Sequence, residues 1–466
     1  MRAFELALEN NEFDKAFTLL MHEVNASYNP HQRAELMLEL AELYILASGD
    51  FEAVSACLSE AREYDPNIEK NLFFKVLQAG QLLSLLDAPP EATHPVRVAA
   101  LKLAKEGLLG EARIRYQAAS VFIGLGEYDL GLEALTNLET MPKYLRWRAW
   151  SWRASALEEL GHLRDASIAY QNAIAEAPSS EKAISLQNKA ALHLNLEEPH
   201  EALAALSESQ KWLGEELLED TVARFTIEAR AHLMLENPRL ARERAEQAKQ
   251  LEQQEDKVSF GTMLVLGQCY AALEQWREAI PAFEAAVRLA SGSDKGFALH
   301  ELGLAQMDAG QSEESRRSLN LAFAEPSYPH KAEVRADLAE LEYRLGNFEV
   351  AEQEAKTALE MGAIVSASLL LANIAYEYYR LDEALEHYKR ALSLAPEGSR
   401  DWVIAQQMTA DTLVQLGWRS PESILHHASL ALPHLEAADE WAITLQNYIQ
   451  RAQQLLMPSI GSRTLN

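Results

Sequence analysis

The segment from Lys143 to Arg153 carries the residue types best suited to binding. It holds four cations, no acidic residue and three of the eight tryptophans of the chain. Arg and Trp are over-represented at binding hot spots because each combines a large contact area with directional polar groups. Arg148 and Trp152 are four residues apart, so they share one face of a helix. The segment predicts a recognition surface, with aromatic packing and surface ion pairs as the alternative.

Patterns that would indicate catalysis are missing from the sequence. It contains no HExxH, GxSxG or GxxxxGK[ST] motif, and no strand pattern that could precede a dinucleotide-binding loop. Adjacent histidines on a helix point about 100° apart, so His426 and His427 are expected at the surface instead of on a metal. Cys269 is interpreted as a small core residue. We therefore expect no enzyme, no catalytic residue, no cofactor and no metal.

Charge is the strongest feature of the composition. The 466 residues include 42 basic and 70 acidic side chains, which gives a net charge of −28. Nucleic-acid and anionic-membrane surfaces are bound by cation-rich proteins, so neither partner is expected. Basic partners, or partners without net charge, are favoured.

The two cysteines and the uncharged segments bear on location. Cys57 and Cys269 lie far apart with no CxxC spacing, which favours a reducing compartment. Acidic residues interrupt the first turns of the sequence, so no secretory signal is indicated. The uncharged runs 258–273 and 361–376 are 16 residues long, whereas about 20 are needed to cross a bilayer, so both are predicted to be buried helices. We expect a cytoplasmic protein.

Helical hairpins are the elements that must position these residues. Apolar positions recur at three- and four-residue spacing, and no stretch shows sustained period-two alternation. Glycine can end a helix in the left-handed conformation, so glycines between helical segments indicate tight turns. The sequence places such glycines at Gly49, Gly126, Gly161, Gly310, Gly346 and Gly417.

Small residues reveal the period of the repeat. They lie near the start of each second helix, where a small side chain lets the two helices of a hairpin approach closely. Successive members are 33 to 39 residues apart: Ala166, Ala202, Ala241, Ala279, Ser315, Ala351 and Ala384. A period of this length is typical of helical repeat proteins.

One hairpin gives this repeat a family resemblance. Leu266-Gly267-x-x-Tyr270, followed by Ala279-x-x-x-Phe283, resembles the tetratricopeptide repeat pattern. The resemblance implies an all-α fold, a right-handed α-solenoid superhelix in which the first helix of each hairpin lines the concave side. Such repeats contact only their neighbours, so added length extends the binding surface.

The register predicts about twelve hairpins and a capping helix at about 439–456. The hairpins are expected at 1–25, 31–64, 68–107, 111–140, 143–177, 181–213, 219–251, 257–291, 294–325, 330–361, 364–395 and 399–433. We divide the chain into N-terminal, partly irregular repeats at 1–110, a core array at 111–398, an atypical repeat with the capping helix at 399–457 and a flexible tail at 458–466. The third hairpin is assigned by position alone, because a long loop, Asp87 to Pro95, replaces its small-residue signature.

The same register places candidate binding residues on the concave groove. Arg148 and Trp152 share the wall with residues of the preceding and following hairpins, namely Arg113, Tyr116, Gln187, Asn188 and Arg230. A second candidate consists of Tyr343, Asn373 and Tyr376, since an asparagine can bond a peptide backbone through both its C=O and its N–H groups. Core and surface roles remain the alternative for both sets.

These features of the sequence favour a non-catalytic scaffold or adaptor that binds a peptide or protein partner in the groove. The alternatives are a regulatory or sensor module of a separate enzyme or transcription factor, and an RNA-binding repeat protein, which the net charge disfavours. The sequence leaves self-association open.

Overall fold

The computed structural model describes residues 2–85, 94–212, 218–436 and 438–457. Helices fill these ranges, and none of the described residues forms a strand. The expected loop of the third hairpin, apart from its last two residues, and the expected tail at 458–466 lie outside the described residues. The all-α prediction is confirmed.

The chain forms two compact units, residues 1–255 and 256–466. Unit 1 contains fourteen α-helices: α1 Ala3–Glu9, α2 Phe13–Ala26, α3 Pro30–Ser48, α4 Phe51–Tyr64, α5 Leu72–Ser84, α6 Pro95–Gly107, α7 Ala112–Gly124, α8 Tyr128–Ala134, α9 Lys143–Glu159, α10 Leu163–Glu176, α11 Ser179–Asn195, α12 Pro199–Ser209, α13 Leu218–Met234 and α14 Pro238–Gln254. Short 3-10 segments, Pro66–Lys70 and Leu138–Thr140, join some of them.

Unit 2 continues the pattern with α15 Phe260–Ala272, α16 Trp276–Leu289, α17 Gly292–Asp308, α18 Ser312–Ala324, α19 Lys331–Arg344, α20 Phe348–Met361, α21 Ile364–Glu377, α22 Leu381–Leu392, α23 Arg400–Gln415, α24 Pro421–Ala431 and α25 Glu440–Leu456. One 3-10 segment, Leu432–His434, follows α24. Within both units, consecutive helices pack in pairs. The first pair is α1 with α2 and the last is α23 with α24, and α25 packs against α24. The pairs match the predicted hairpins in order.

Small residues hold the two helices of each hairpin together, as the sequence predicts. All seven residues of the period, from Ala166 to Ala384, are fully buried. Ser315 also donates a hydrogen bond from its Oγ to the carbonyl oxygen of Gly303 on the facing helix, at 2.7 Å. The close approach of the helices is therefore repeated along each unit.

The hairpin turns share a left-handed residue. Each of the six predicted turn glycines has a positive φ, between 64° at Gly49 and 80° at Gly346. Hairpins without such a glycine place another residue in the same conformation, including Glu197, Glu236 and Glu274. The turn geometry is thus imposed by helix packing and is not restricted to glycine.

Helix α1 departs from the expected arrangement. The repeat model predicts that the first hairpin contacts only the second, and α2 does pack against α3. The seven-residue α1, however, packs against α9, the first helix of the fifth hairpin. Part of the surface formed by first helices in unit 1 is therefore covered by the chain itself.

Candidate functional site

A cavity of about 520 Å³ lies in unit 1 among first helices of several hairpins. Helix α9 supplies the largest part of its wall, and α3, α7, α10 and α11 complete it. The lining residues are Ile45, Leu46, Tyr116, Gln117, Ser120, Trp147, Arg148, Ser151, Trp152, Ser155, Tyr170 and Asn188. Aromatic rings, hydroxyl groups and amides dominate this lining, and Arg148 is its one charged side chain.

The side chain of Arg148 is held by rings and by a backbone carbonyl. Its Nη1 donates a hydrogen bond to the carbonyl oxygen of Tyr144, one turn earlier on α9, at 2.9 Å. The guanidinium carbon lies 4.2 Å from the ring centroid of Trp147 and 5.7 Å from that of Phe13. Burial lowers the pKa of Arg148 below its ordinary value. Among the described residues, no carboxylate oxygen lies within 4.0 Å of this guanidinium, so its charge is available to a ligand.

Tyr116 and Trp152 form the adjoining wall. The Tyr116 side chain is buried, and burial raises the pKa of its hydroxyl, while a hydrogen bond with Trp152 acts in the opposite direction. Trp152 is half-buried and packs against the core of the first hairpins. The indole and the phenol are thus fixed relative to each other before any ligand arrives.

Spacing on α9 explains why these residues meet. Positions 147, 148, 151, 152 and 155 follow intervals of three and four residues, which places them on one stripe of a helix. The sequence analysis identified Arg148 and Trp152 on this stripe but missed Trp147, Ser151 and Ser155. Extending the same helical spacing in both directions would have found them.

Arg113, predicted for the groove, is neutralised inside the protein. Its Nε donates a hydrogen bond to Glu42 Oε2 at 2.6 Å, and its Nη1 lies 3.4 Å from Glu39 Oε1. Burial alone lowers the pKa of Arg113, but the carboxylates of Glu42 and Glu39 raise it above the ordinary value. The ring of Phe73 packs under the guanidinium at 4.9 Å. Arg113 does not line the cavity, and its predicted binding role stays a prediction.

Three further candidates of unit 1 occupy different environments. Asn188 is exposed and lines the cavity, as predicted for a wall residue. Its neighbour Gln187 is 4% exposed and belongs to the interior, because adjacent helical residues point in different directions. Arg230, on α13, is exposed but is not part of the lining.

The remaining cations of the segment 143–153 do not form a basic wall. Arg146 lies 3.4 Å from a carboxylate oxygen of Glu176 on α10, and it also donates to the carbonyl of Met141. Arg153 donates to the carbonyl oxygen of Leu135 at 3.4 Å. Lys143 is exposed at the start of α9, so Arg148 is the cation of the segment that lies in the cavity lining.

The second predicted candidate, in unit 2, is a network of internal hydrogen bonds. The Tyr388 hydroxyl donates to Asn373 Oδ1 at 2.7 Å, which occupies the amide oxygen proposed for peptide capture. Tyr376 donates its hydroxyl hydrogen to Asp411, and burial together with this carboxylate raises the pKa of Tyr376. The Tyr343 ring packs 5.4 Å from that of Phe348. The contact between Tyr376 and Asp411 joins neighbouring hairpins, whereas the other two lie within one hairpin each. The predicted binding role of the three residues stays a prediction.

Residues capable of other chemistry are placed in the interior. Cys57 and Cys269 are free thiols and both are buried, and burial raises the pKa of Cys57 to about 12. A thiol with this pKa is a poor nucleophile. In the part of the chain that the structure describes, no group of three or more His, Cys, Asp or Glu side chains could hold a metal ion. Within the same residues, every helix is too short or too polar to cross a membrane.

Comparison with known proteins gives matches in family and in fold. The tetratricopeptide repeat family model matches residues 116–181, 300–363 and 336–399. Among curated protein sequences, none matches significantly.

Three solved structures are similar over most of their length. Yeast Tom70 is 13% identical, with a TM-score of 0.45, over 97% of this chain and 96% of that chain. The Cut9–Hcn1 hetero-tetramer of the APC/C gives 14% identity and a TM-score of 0.41, over 96% of this chain and 95% of that chain. The apo form of RapI gives 13% identity and a TM-score of 0.45, over 77% of this chain and 96% of that chain.

The family matches cover four of the seven small residues of the period, namely Ala166, Ser315, Ala351 and Ala384. They include α9 and α10, which carry most of the cavity wall, and the hairpins from α17 to α22. Buried small residues, left-handed turns and paired helices agree with the same repeat throughout both units. The chain therefore contains tetratricopeptide repeats at the matched residues, within a longer array of paired helices.

Proposed function

We propose that this chain is a non-catalytic scaffold or adaptor that binds a peptide segment of a partner protein at the cavity around Arg148. Tetratricopeptide repeats support a protein-interaction scaffold in general, because stacked hairpins present an extended surface without separate cores. The finer proposal concerns where on that surface the partner binds.

The observation that carries the proposal is the environment of Arg148. A guanidinium held between aromatic rings, with no carboxylate within ion-pairing distance among the described residues, keeps its donors for an incoming group. Peptide carbonyl and carboxylate oxygens are the acceptors that an arginine fork binds best. Arg146 and Arg153 of the same segment already have partners, and Lys143 is exposed outside the cavity lining, which singles out this position.

The rest of the lining suits a peptide. A cavity of about 520 Å³ falls within the range of small-molecule pockets, about 300–1,000 Å³, so it has room for one or two side chains. Trp147 and Trp152 offer apolar contact area, and the Asn188 amide can both donate to and accept from a peptide backbone. The hydroxyls of Ser120, Ser151 and Ser155 add further polar partners.

The proposal is tested by affinity capture with the full chain and its variant Arg148→Glu with Trp152→Ala. The wild-type chain is expected to retain a protein partner that the variant loses, because charge reversal and loss of the indole remove both kinds of contact. Arg164→Glu is the matched control. Arg164 is exposed on α10 outside the cavity lining, and its substitution changes the net charge by the same amount as Arg148→Glu. Circular dichroism checks that each variant is folded.

Equal recovery of the partner by the variant would reject this site. RNA that remains bound to the chain at high salt would instead support the RNA-binding alternative, and turnover of a substrate by the isolated chain would contradict the non-catalytic assignment. A captured enzyme or transcription factor would assign the regulatory role considered above. A cytoplasmic location is part of the proposal and is supported by the two buried free cysteines.

A further inference from the structure

Helix α1 occupies a position that the repeat architecture does not require. Its partner α2 packs against α3 in the usual order of the stack. Helix α1 itself packs against α9, which belongs to the fifth hairpin. Since hairpins of this kind normally contact only their neighbours, the contact between α1 and α9 is an additional interaction.

The apolar side of α1 faces the protein. Phe4, Ala7 and Leu8 are 1%, 2% and 5% exposed, whereas Leu6, on the other side of the helix, is 53% exposed. Phe4 and Leu8 belong to the same core cluster as Tyr144 and Leu145 of α9. Helix α1 is therefore bound as an amphipathic helix in a groove.

A salt bridge between Arg2 and Glu39 also holds α1 on this surface. Arg2 forms a two-pronged contact with Glu39 of α3, through hydrogen bonds of 2.7 Å from Nη1 and 2.5 Å from Nη2. Arg113 contacts Glu39 only at 3.4 Å, because its main partner is Glu42, which also accepts from Gln117 at 3.1 Å. Without Arg2, the Glu39 carboxylate would lose its closest counter-charge.

The turn after α1 fastens the hairpin to the same surface. Asn11 donates from Nδ2 to Glu181 Oε1 on α11 at 3.0 Å, and the Phe13 ring lies over the guanidinium of Arg148. Helix α1 has seven residues, fewer than an isolated helix needs for stability, while α2 has its own packing against α3. Helix α1 can therefore leave without disturbing the stack of hairpins.

We propose that the surface beneath α1, formed by Glu39 of α3, Arg113 of α7 and Tyr144 of α9, is a second binding groove, and that α1 is its internal competitor. The partner it fits is a short amphipathic helix of another protein, with a cation that reaches Glu39 and an aromatic residue two positions later. This groove is separate from the cavity described above, because Glu39, Glu42 and α1 are not part of the cavity lining.

Charge favours another protein over a second copy of this chain. Two copies, each with a net charge of −28, repel each other. A partner helix with more cations than residues 2–12, which hold one Arg and three Glu, is attracted to this acidic chain. The partner helix would reproduce the pattern seen in α1: Arg2 for the carboxylate, and Phe4 with Leu8 for the apolar floor.

The test uses the full chain and a fluorescein-labelled peptide with the sequence of residues 2–12, followed by fluorescence anisotropy. Phe4→Asp in the chain undocks α1, so we expect this variant to bind the peptide at least tenfold more tightly than the wild-type chain does. Leu6→Asp is the matched control, because Leu6 is exposed on the same helix and its change should leave peptide binding at the wild-type level. A peptide that itself carries Phe4→Asp should not bind.

A charge exchange checks the polar contact. Glu39→Arg in the Phe4→Asp chain should abolish binding of the natural peptide, and a peptide with Arg2→Glu should bind again. The proposal is overturned if the folded Phe4→Asp chain does not bind the natural peptide, or if light scattering shows that α1 is exchanged between two copies. Ser155→Ala with Asn188→Ala changes the cavity lining and none of the α1 contacts described above, so it should leave peptide binding unchanged, and failure here is distinguishable from failure of the cavity proposal.

Discussion

At the scale of single residues, His427 combines burial with positive neighbours. Its Nδ1 donates a hydrogen bond to Gln406 Oε1 at 2.5 Å, and the ring is half-buried between α23 and α24. Burial, followed by the nearby charges of His426 and Lys389, lowers the pKa of His427 to about 4. The sequence analysis expected both histidines at the surface; this is correct for His426 and wrong for His427.

The lowered pKa makes a prediction for acid stability. Because the folded pKa is below the unfolded value of about 6.5, the neutral ring stabilises the fold at pH 7, and this contribution is lost as the pH falls from about 6.5 to 4. We expect His427→Gln to reduce the acid loss of stability in unit 2 by roughly 1 to 2 kcal/mol, after allowance for partial exposure. Urea unfolding at pH 7 and pH 4.5 measures the difference. The exposed His200 of unit 1 provides the control, since His200→Gln should leave the loss of stability between pH 7 and pH 4.5 unchanged. Equal loss of stability in the wild-type chain and in His427→Gln would contradict the prediction.

The two groove arginines show what sequence could and could not predict at this scale. Helical spacing places Arg148 and Trp152 on one face, and the structure has both in one cavity lining with Tyr116 and Asn188, while their binding role stays a prediction. It could not distinguish Arg148 from Arg113, because the carboxylate that neutralises Arg113 is 71 residues away in the sequence. Such pairings depend on which helices the fold brings together.

At the scale of helices, close contact within a hairpin is the main constraint. A Cβ atom on Gly267 of α15 would lie 2.6 Å from a ring carbon of Phe283 on α16, and Phe283 is fully buried. Distances this short require the ring to move in a packed interior. The glycine of the repeat pattern is therefore required by the aromatic residue that faces it.

We expect Gly267→Ala to lower the free energy of unfolding by about 1 to 2 kcal/mol, because overpacking of about 1–3 kcal/mol outweighs the gain in helix propensity. Gly261, on the same helix, would place its Cβ in open space, so Gly261→Ala should stabilise by about 0.5–1 kcal/mol. Urea unfolding of both variants measures the contrast. If both substitutions change the free energy of unfolding by the same amount, steric crowding beside Phe283 does not determine the effect of Gly267→Ala.

Sequence patterns predicted the helices well and the position of α1 poorly. Glycine turns and small residues recur with the repeat, so each hairpin could be recognised from local spacing. The docking of α1 on α9 has no periodic signal, because it depends on Arg2 meeting Glu39 and Asn11 meeting Glu181, 37 and 170 residues away. Local patterns describe hairpins, and long-range contacts have to be seen in the structure.

At the scale of the whole molecule, the chain divides into units 1–255 and 256–466 inside the predicted core array. The helices on either side of the division are α14, which ends at Gln254, and α15, which begins at Phe260. A uniform repeat period gave no indication of this division, because the small residues Ala241 and Ala279 keep their usual spacing across it.

Limited proteolysis should detect the division. Lys257 is exposed and lies between α14 and α15, so we expect trypsin to cut after Lys257 early and to release two fragments. Each fragment should keep a helical circular dichroism spectrum and its own thermal transition, because each unit has its own core. Lys249, within α14, serves as the internal comparison and should be cut later. Fragments that lose their helical spectrum would contradict independent folding.

The contact between Asn11 and Glu181 also has a consequence for biosynthesis. The ribosome makes α1 before α9 and α11, and Asn11 and Glu181 are 170 positions apart in the chain. At about 5–20 residues per second, the delay is roughly 10 to 35 s. During this interval α1 has no docking surface, and its apolar residues Phe4 and Leu8 are exposed on the nascent chain to whatever chaperones meet it there.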